Sequence, residues 1–337
     1  MFVYCCSIYY FPIEVVNGYI VSENNEIIEL PPKYPFQGKW GYPIITEMKD
    51  YRYGGIVKLS ISYISVIESK VYICVKELDI DRISNLFESS ENEDVILLIG
   101  MTPFGGIALW LYKQKKSILI DWIYARLCKD KVVTTFGRER IVDDVCKKYI
   151  SDDNLIKENL EKNGIPPRSL FDKYMQQFTF RYLPLFEHWD SDKEDWQKYK
   201  DEETIPEFDY IEETLFDGTH DKLHDGGLMN YHQAGKPKKL AVRWHIKKSE
   251  FMAYFWFEDE EIRAIFDRFY GAHPDTKTDF MIRIDAEQNK YELALYRYGL
   301  KEPQVISESA YQLLVFKNKF EYYRSENYNQ PRGAWIW

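Results

Sequence analysis

"KLSISYISVIESKVYICVKELDIDRISNLF", Lys58–Phe87, and "KLAVRWHIKKSEFMAYFWFEDEEIRAIFDRF", Lys239–Phe269, carry one pattern twice in a single chain. Each opens on Lys-Leu and then alternates: Leu59, Ile61 and Tyr63 in the first, Leu240, Val242 and Trp244 in the second. A period of two places every second side chain on one sheet face, so each run reads as a strand with one buried side. A second apolar run follows, Val71–Val75 and Phe251–Phe257. The period then becomes helical. Ile80, Ile83, Leu86 and Phe87 align with Ile262, Ile265, Arg268 and Phe269 at an offset of 182, and three of the four pairs keep one apolar stripe. The Lys-Leu pairs are 181 apart, so one inserted residue reconciles the two alignments.

Beyond each helix come two more strand-like runs, "DVILLIG" with "IALWLY" and "TDFMIRI" with "YELALY", joined by the turn signals "MTPFGG" and "DAEQNK". The expectation is an α+β fold: two related antiparallel β-rich units, each strand-strand-helix-strand-strand, with helices on one face and a helical connector between them. The first unit is expected at 1–127, the connector at 128–178 and the second unit at 179–337, with an acidic insertion at 187–225. Within the connector, helices are expected near Arg138–Tyr149 and Leu155–Lys162. After a break at Gly164–Pro167, Ser169 is the expected cap of a helix carrying Leu170, Tyr174 and Phe178. "FTFRYLPLF" is expected to open the second unit as a strand, and Trp335 and Trp337 to cover an open core edge.

The 337 residues suit two units, and 45% hydrophobic with 29% charged residues is globular. Aromatics reach 17%, which favours sheet. The net charge of −10 is concentrated: Glu187–Asp225 holds fifteen Asp/Glu against four Lys. No Lys/Arg cluster of the kind that grips phosphates is present, so nucleic acid is not an expected partner. Five cysteines, an odd number with no CxxC pair, point to a reducing compartment. No apolar run reaches membrane-spanning length and no signal peptide is visible, so a cytoplasmic location is expected. A start codon lying further upstream would change this to a periplasmic lipoprotein.

"GMTPFGGIALWLYKQKKSILIDWIYA", Gly100–Ala125, together with "YYFPIEVVNGYIVSE", "GKWG" and the "LDIDRISNLF" helix, resembles the bacterial domain-of-unknown-function family numbered 2931. The resemblance runs from the start of the chain to Ala125, and longer members resemble the remainder. It implies no catalytic residues. Its members are commonly lipoproteins, often encoded beside type VI secretion or other toxin modules, which implies an immunity protein that silences a toxin by binding it.

Two stretches carry candidate sites. "DGTHDKLHDGG", Asp217–Gly227, spaces His220 and His224 four apart among acids. On a helix both imidazoles would share a face, as a metal requires, echoing HExxH with Asp for Glu. Asp217, His220 and His224 are therefore the metal candidates, set against a polar loop as the simpler reading; no cofactor is expected. Nucleophilic motifs are missing: there is no G-x-S-x-G elbow, and "GMTPFGG" lacks the Lys-Ser/Thr of a phosphate loop. The second stretch is "WDSDKEDWQKYKDEETIPEFDYIEE", where acids interleave with rings. A surface helix is one reading. A partner surface is the other, built from Trp189, Asp190, Glu194, Asp195, Trp196, Tyr199, Glu202, Glu203, Phe208, Asp209, Tyr210, Glu212 and Glu213, with rings as anchors and carboxylates facing a basic toxin. The expected function is thus a non-enzymatic immunity protein. A metal-dependent hydrolase centred on His220 and His224, or a structural envelope lipoprotein, are the alternatives.

Overall fold

The computed structural model describes residues 2–8, 10–30, 33–36, 40–41, 56–79, 95–187, 206–228, 230–271, 273–285, 288 and 290–328. The helix expected at 80–87, the candidates from Trp189 to Glu203, and Trp335 and Trp337 lie outside these residues. The fold is α+β with strand outweighing helix, and it divides into two compact units, Met1–Lys173 and Tyr174–Arg332. That division falls within the last helix of the stretch expected as a connector.

The first unit contains β1 (Phe2–Ser7), β2 (Ile13–Ser22), β3 (Ile27–Leu30), β4 (Lys33–Phe36), β5 (Ile56–Ser65), β6 (Lys70–Glu77), β7 (Ile96–Met101), β8 (Gly106–Lys113), β9 (Lys116–Tyr124), β10 (Arg126–Cys128), β11 (Val132–Thr135) and β12 (Arg138–Ile141). Its helices are α1 (Val142–Asp152), α2 (Asn154–Asn163) and α3 (Arg168–Met175). One sheet runs β10-β6-β5-β2-β3, with β4 also on β2, and β1, β7, β8 and β9 pair in that order. The alternating Leu59, Ile61 and Tyr63 meet Leu97, Ile99, Met101, Ile107 and Leu109 in one core. On the other side of β2-β5-β6, Val16, Ile64, Val66 and Val71 pack against Val133 of β11 and Val142 and Cys146 of α1.

"MTPFGG" is the hairpin turn it was expected to be. Phe104 takes a left-handed φ of 63°, and its amide donates to Glu68 Oε2 at 2.7 Å while Tyr72 Oη donates to Oε1 at 2.9 Å. At Gly100 an added Cβ would lie 2.4 Å from the Trp110 ring, which stands edge-on to Trp40 at 4.6 Å. Only glycine lets the strand pass this pair.

The second unit contains β13 (Phe178–Glu187), β14 (Glu207–Leu215), β15 (His220–His224), β16 (His232–Ala234), β17 (Pro237–Ile246), β18 (Ser249–Phe257), α4 (Asp259–Tyr270), β19 (Thr278–Asp285), β20 (Tyr291–Tyr296), β21 (Gln304–Val305), β22 (Tyr311–Lys317) and β23 (Phe320–Arg324). One sheet orders β15-β14-β17-β18-β22-β23, the other β16-β13-β19-β20-β21. The core between them is aromatic. Helix α4 buries Ile262, Ile265, Phe266, Phe269 and Tyr270, Phe178 lies 4.6 Å from Tyr270 and 5.2 Å from Phe266, and Phe180, Tyr182 and Phe280 fill in beside them. Trp244 stacks on Phe251 at 5.3 Å and donates through Nε1 to Gln288 Oε1 at 2.8 Å. Each such ring, fully buried, contributes about 1.5–3 kcal/mol through removal from water.

Several expectations change. The sheets are not purely antiparallel, since β1 pairs with β7 and β13 with β19 in parallel. Strands so distant in sequence have no hairpin to impose direction. The helix expected from Arg138 begins at Val142, because Arg138–Ile141 pairs with β11 instead. Ser169 lies inside α3 and so cannot cap it, and Phe178 opens a strand. The hairpin loop after β5 has four residues, Val66–Ser69, but that after β17 has two, Lys247 and Lys248. The offset therefore falls from 181 to 179 before reaching 182, which takes two length changes rather than one.

Candidate functional site on the outer face of the second unit

The described end of the acidic stretch is sheet. Ile211 and Leu215 point into the core, which fixes β14 against β17 and turns the alternate residues outward. Cross-strand pairing then lays out three rows on the face away from the core. The first is His224, Tyr210, Arg243, Met252 and Phe316, running across β15, β14, β17, β18 and β22. The second is Lys222, Glu212, Ala241, Tyr254 and Leu314, and the third is His220, Thr214, Lys239, Trp256 and Gln312. The β14–β15–β17 side is charged. The β18–β22 side is apolar and aromatic, with Met252, Tyr254, Trp256 and Phe316 all partly exposed.

Two hollows mark this face. A trough of about 500 Å³ is lined by Glu207, Phe208, Asp209, Tyr210, Lys222, His224, Arg243 and His245. A smaller notch of about 280 Å³ is lined by Glu250, Phe251, Met252, Tyr254, Phe316 and Lys319. The trough exists because β14 bulges at Asp209, between Phe208 and Tyr210. A bulge inserts an unpaired residue and re-aims its side chain.

Charges here are paired in advance. Asp209 Oδ2 lies 3.2 Å from Arg243 Nε, Oδ1 lies 3.0 Å from His245 Nδ1, and Arg243 Nη2 reaches Glu250 Oε1 at 3.0 Å. His245 Nε2 is 3.2 Å from Glu207 Oε2. The Lys222 ammonium stands 3.5 Å from the Tyr210 ring centroid, a cation–π distance. A hydrogen bond with Tyr210 leads the interactions that hold the Arg243 guanidinium above its ordinary pKa. Exposed pairs of this kind add little stability, below about 1 kcal/mol each. They do fix side chains in place, which lowers the entropy cost of binding.

The candidates named from sequence separate. Asp209, Tyr210 and Glu212 belong to the outer face. Phe208 stacks on Phe186 at 4.7 Å, on the side of Trp244, so its ring serves the interior. Glu213 is 1% exposed and accepts from Tyr182 Oη at 2.6 Å. It cannot meet a partner, and its charge contributes to holding the Tyr182 phenol well above its ordinary pKa, behind the larger effect of burial. Asp217 is fully buried, where desolvation raises its pKa. It accepts from the Thr219 amide at 2.8 Å and from the Gln177 side chain, and a Cβ at Gly235 would come within 2.6 Å of its Oδ2. This aspartate anchors a turn.

His220 and His224 lie on a strand, not a helix. Four residues of strand separate them by roughly 13 Å, too far to share one ion. His220 meets Thr214 Oγ1 at 3.1 Å and Glu212 at 3.7 Å, while His224 packs on Tyr210. Among the described residues, no group of three His, Cys, Asp or Glu is placed to hold a metal ion. Sequence reasoning missed Arg243, His245, Glu250 and Met252. Their signal was the outward half of the alternation whose inward half defined the strands. Comparison of the chain with protein-family models, curated proteins and solved structures gives no match.

Proposed function

We propose that the protein works by binding another protein through the outer face of β14, β15, β17 and β18, and that it serves as an immunity protein neutralising a cognate bacterial toxin. The observation that carries the binding reading is the pre-paired lattice of Asp209, Arg243, His245, Glu207 and Glu250 beside the partly exposed Met252, Tyr254 and Phe316. Aromatic, methionine and arginine side chains next to fixed charges are what protein interfaces enrich. The toxin half of the reading comes from the family resemblance and from the toxin modules beside which that family's members are often encoded. Asp209 and Glu250 already share Arg243, which leaves Glu207 as an open carboxylate of this face. No described helix is long and apolar enough to cross a membrane.

The test is to express the products of the neighbouring genes and measure capture of any toxin among them by titration calorimetry. Arg243→Glu combined with Tyr254→Ala should weaken it at least about 30-fold, as loss of a central anchor does. Undiminished capture by that variant removes the proposed surface. The hydrolase alternative has no geometric support at His220 and His224, and stoichiometric zinc in the purified chain would revive it.

We also infer that the two units descend from one duplicated element. Both order their sheets alike, β3-β2-β5-β6-β10 beside β15-β14-β17-β18-β22. Residues 14–30 map onto 207–223 at a constant offset of 193, and strand irregularities fall at the same two places, after Val15 and Val21 in one and after Phe208 and Thr214 in the other. The turns agree too, with Asn25 at φ 60° and Gly218 at φ 89°, each donating its amide to the residue three before it.

A further inference from the structure

The two units differ most where their frameworks coincide. Glu14 of β2 and Glu207 of β14 hold the same register position, opposite Ile64 and His245 respectively. The bulged residues are Val16 and Asp209, and the next strand contributes Val71 and Glu250. In the first unit this seat is filled from within the chain. The hairpin β11–β12 and helix α1 cover Val16, Ile64 and Val71 with Val133, Val142 and Cys146, and Arg140 of β12 donates to Glu14, which is 0% exposed. In the second unit Glu207, Asp209 and His245 line the trough while Glu250 lines the neighbouring notch, and the Glu207 side chain is 72% exposed.

We infer that the trough is the seat for a segment of the partner protein that brings an arginine or lysine to Glu207 and Asp209, as Arg140 comes to Glu14. The inference rests on the binding reading above and on the correspondence of the two units. It commits to a basic segment for two reasons. The framework's filled copy shows a guanidinium on this glutamate. Relative to that copy, two apolar positions, Val16 and Val71, have become the carboxylates Asp209 and Glu250. Arg243 lies between those two, whereas Glu207 has only His245 beside it among its ion pairs. An exposed carboxylate offers both oxygens to a guanidinium in a bidentate pair. A polar seat also suits an occupant that arrives and leaves, where the valine-lined seat of the first unit suits one that folds in place.

The experiment is fluorescence anisotropy with a labelled hexa-arginine peptide and the full-length chain at low salt. Glu207→Gln combined with Asp209→Asn, both isosteric, should weaken binding about ten-fold. Glu302→Gln, at an exposed carboxylate elsewhere on the second unit, should leave it unchanged. Equal weakening by both variants, or no weakening by the double variant, overturns the inference. So does a dimer in sedimentation that the double variant loses, because the occupant is then a second copy. Toxin capture lost with Arg243→Glu/Tyr254→Ala but kept with the Glu207/Asp209 variant removes this inference and leaves the binding reading standing.

Discussion

Glu14 and Glu207 hold the same register position in two sets of strands ordered alike, and they live in opposite surroundings. Glu14 is sealed beneath a hairpin and a helix, where burial raises its pKa even against the pull of Arg140. Glu207 stands in water beside His245. The contrast teaches that the register of a sheet sets where a side chain can point, while the elements laid over the sheet set what that side chain is worth. The inner rows barely change: Leu59, Ile61 and Tyr63 stand where Leu240, Val242 and Trp244 stand, and Tyr63 lies 5.5 Å from Tyr72 as Trp244 lies 5.3 Å from Phe251. The outer rows differ, with Ser60, Ser62, Ile73 and Val75 at the register positions that Ala241, Arg243, Met252 and Tyr254 hold in the other unit.

The comparison breaks most visibly in the cores. Tyr63→Ala and Trp244→Ala should each cost about 3–5 kcal/mol in urea unfolding, since both rings are fully buried. A loss below about 1 kcal/mol at either would mean that the two positions are not counterparts. Next come the glutamates. Arg140→Ala should cost about 3 kcal/mol by stranding a buried carboxylate, whereas His245→Ala beside the open Glu207 should stay within about 0.5 kcal/mol in the same assay.

The third test uses Lys238, which stands where the first unit has Val57. Burial lowers its amine from 10.5 to about 8, with Asp259 opposing. Between about 8 and 10.5 the unfolded chain binds the extra proton, so stability rises with pH across that interval and the penalty is complete below it. Thermal unfolding should show the chain gaining about 1–2 kcal/mol from pH ~7.5 to ~9.5. Lys238→Val, which restores the first unit's residue, should abolish the gain. The smallest effect belongs to the matching turns: Gly218→Ala, at positive φ, should cost about 1 kcal/mol, and Asn25→Gly should be nearly neutral.

Strands and hairpins were legible because burial of one face writes itself as alternation, and α4 because its stripe at Ile262, Ile265 and Phe269 is unbroken. The relation between 14–30 and 207–223 was not, since only Glu14 and Leu30 keep their identity there, as Glu207 and Leu223. The histidine pair misled because its spacing fits a helix, while the Asp217–Gly218 turn folds it back as a strand against Thr214 and Tyr210. In the described end of the acidic stretch, counting charges could not show partners: Glu213 goes inside to Tyr182, and Asp209 is held by Arg243 and His245 from the neighbouring strand.

Composition and periodicity alone determined an α+β chain with two aromatic-rich sheet units, because apolar side chains must leave water and a strand can hide only every second one. Which carboxylate is sealed, which is paired and which remains open was decided by tertiary structure. Those outcomes depend on bulges, strand register and covering elements that bring together residues far apart in the sequence.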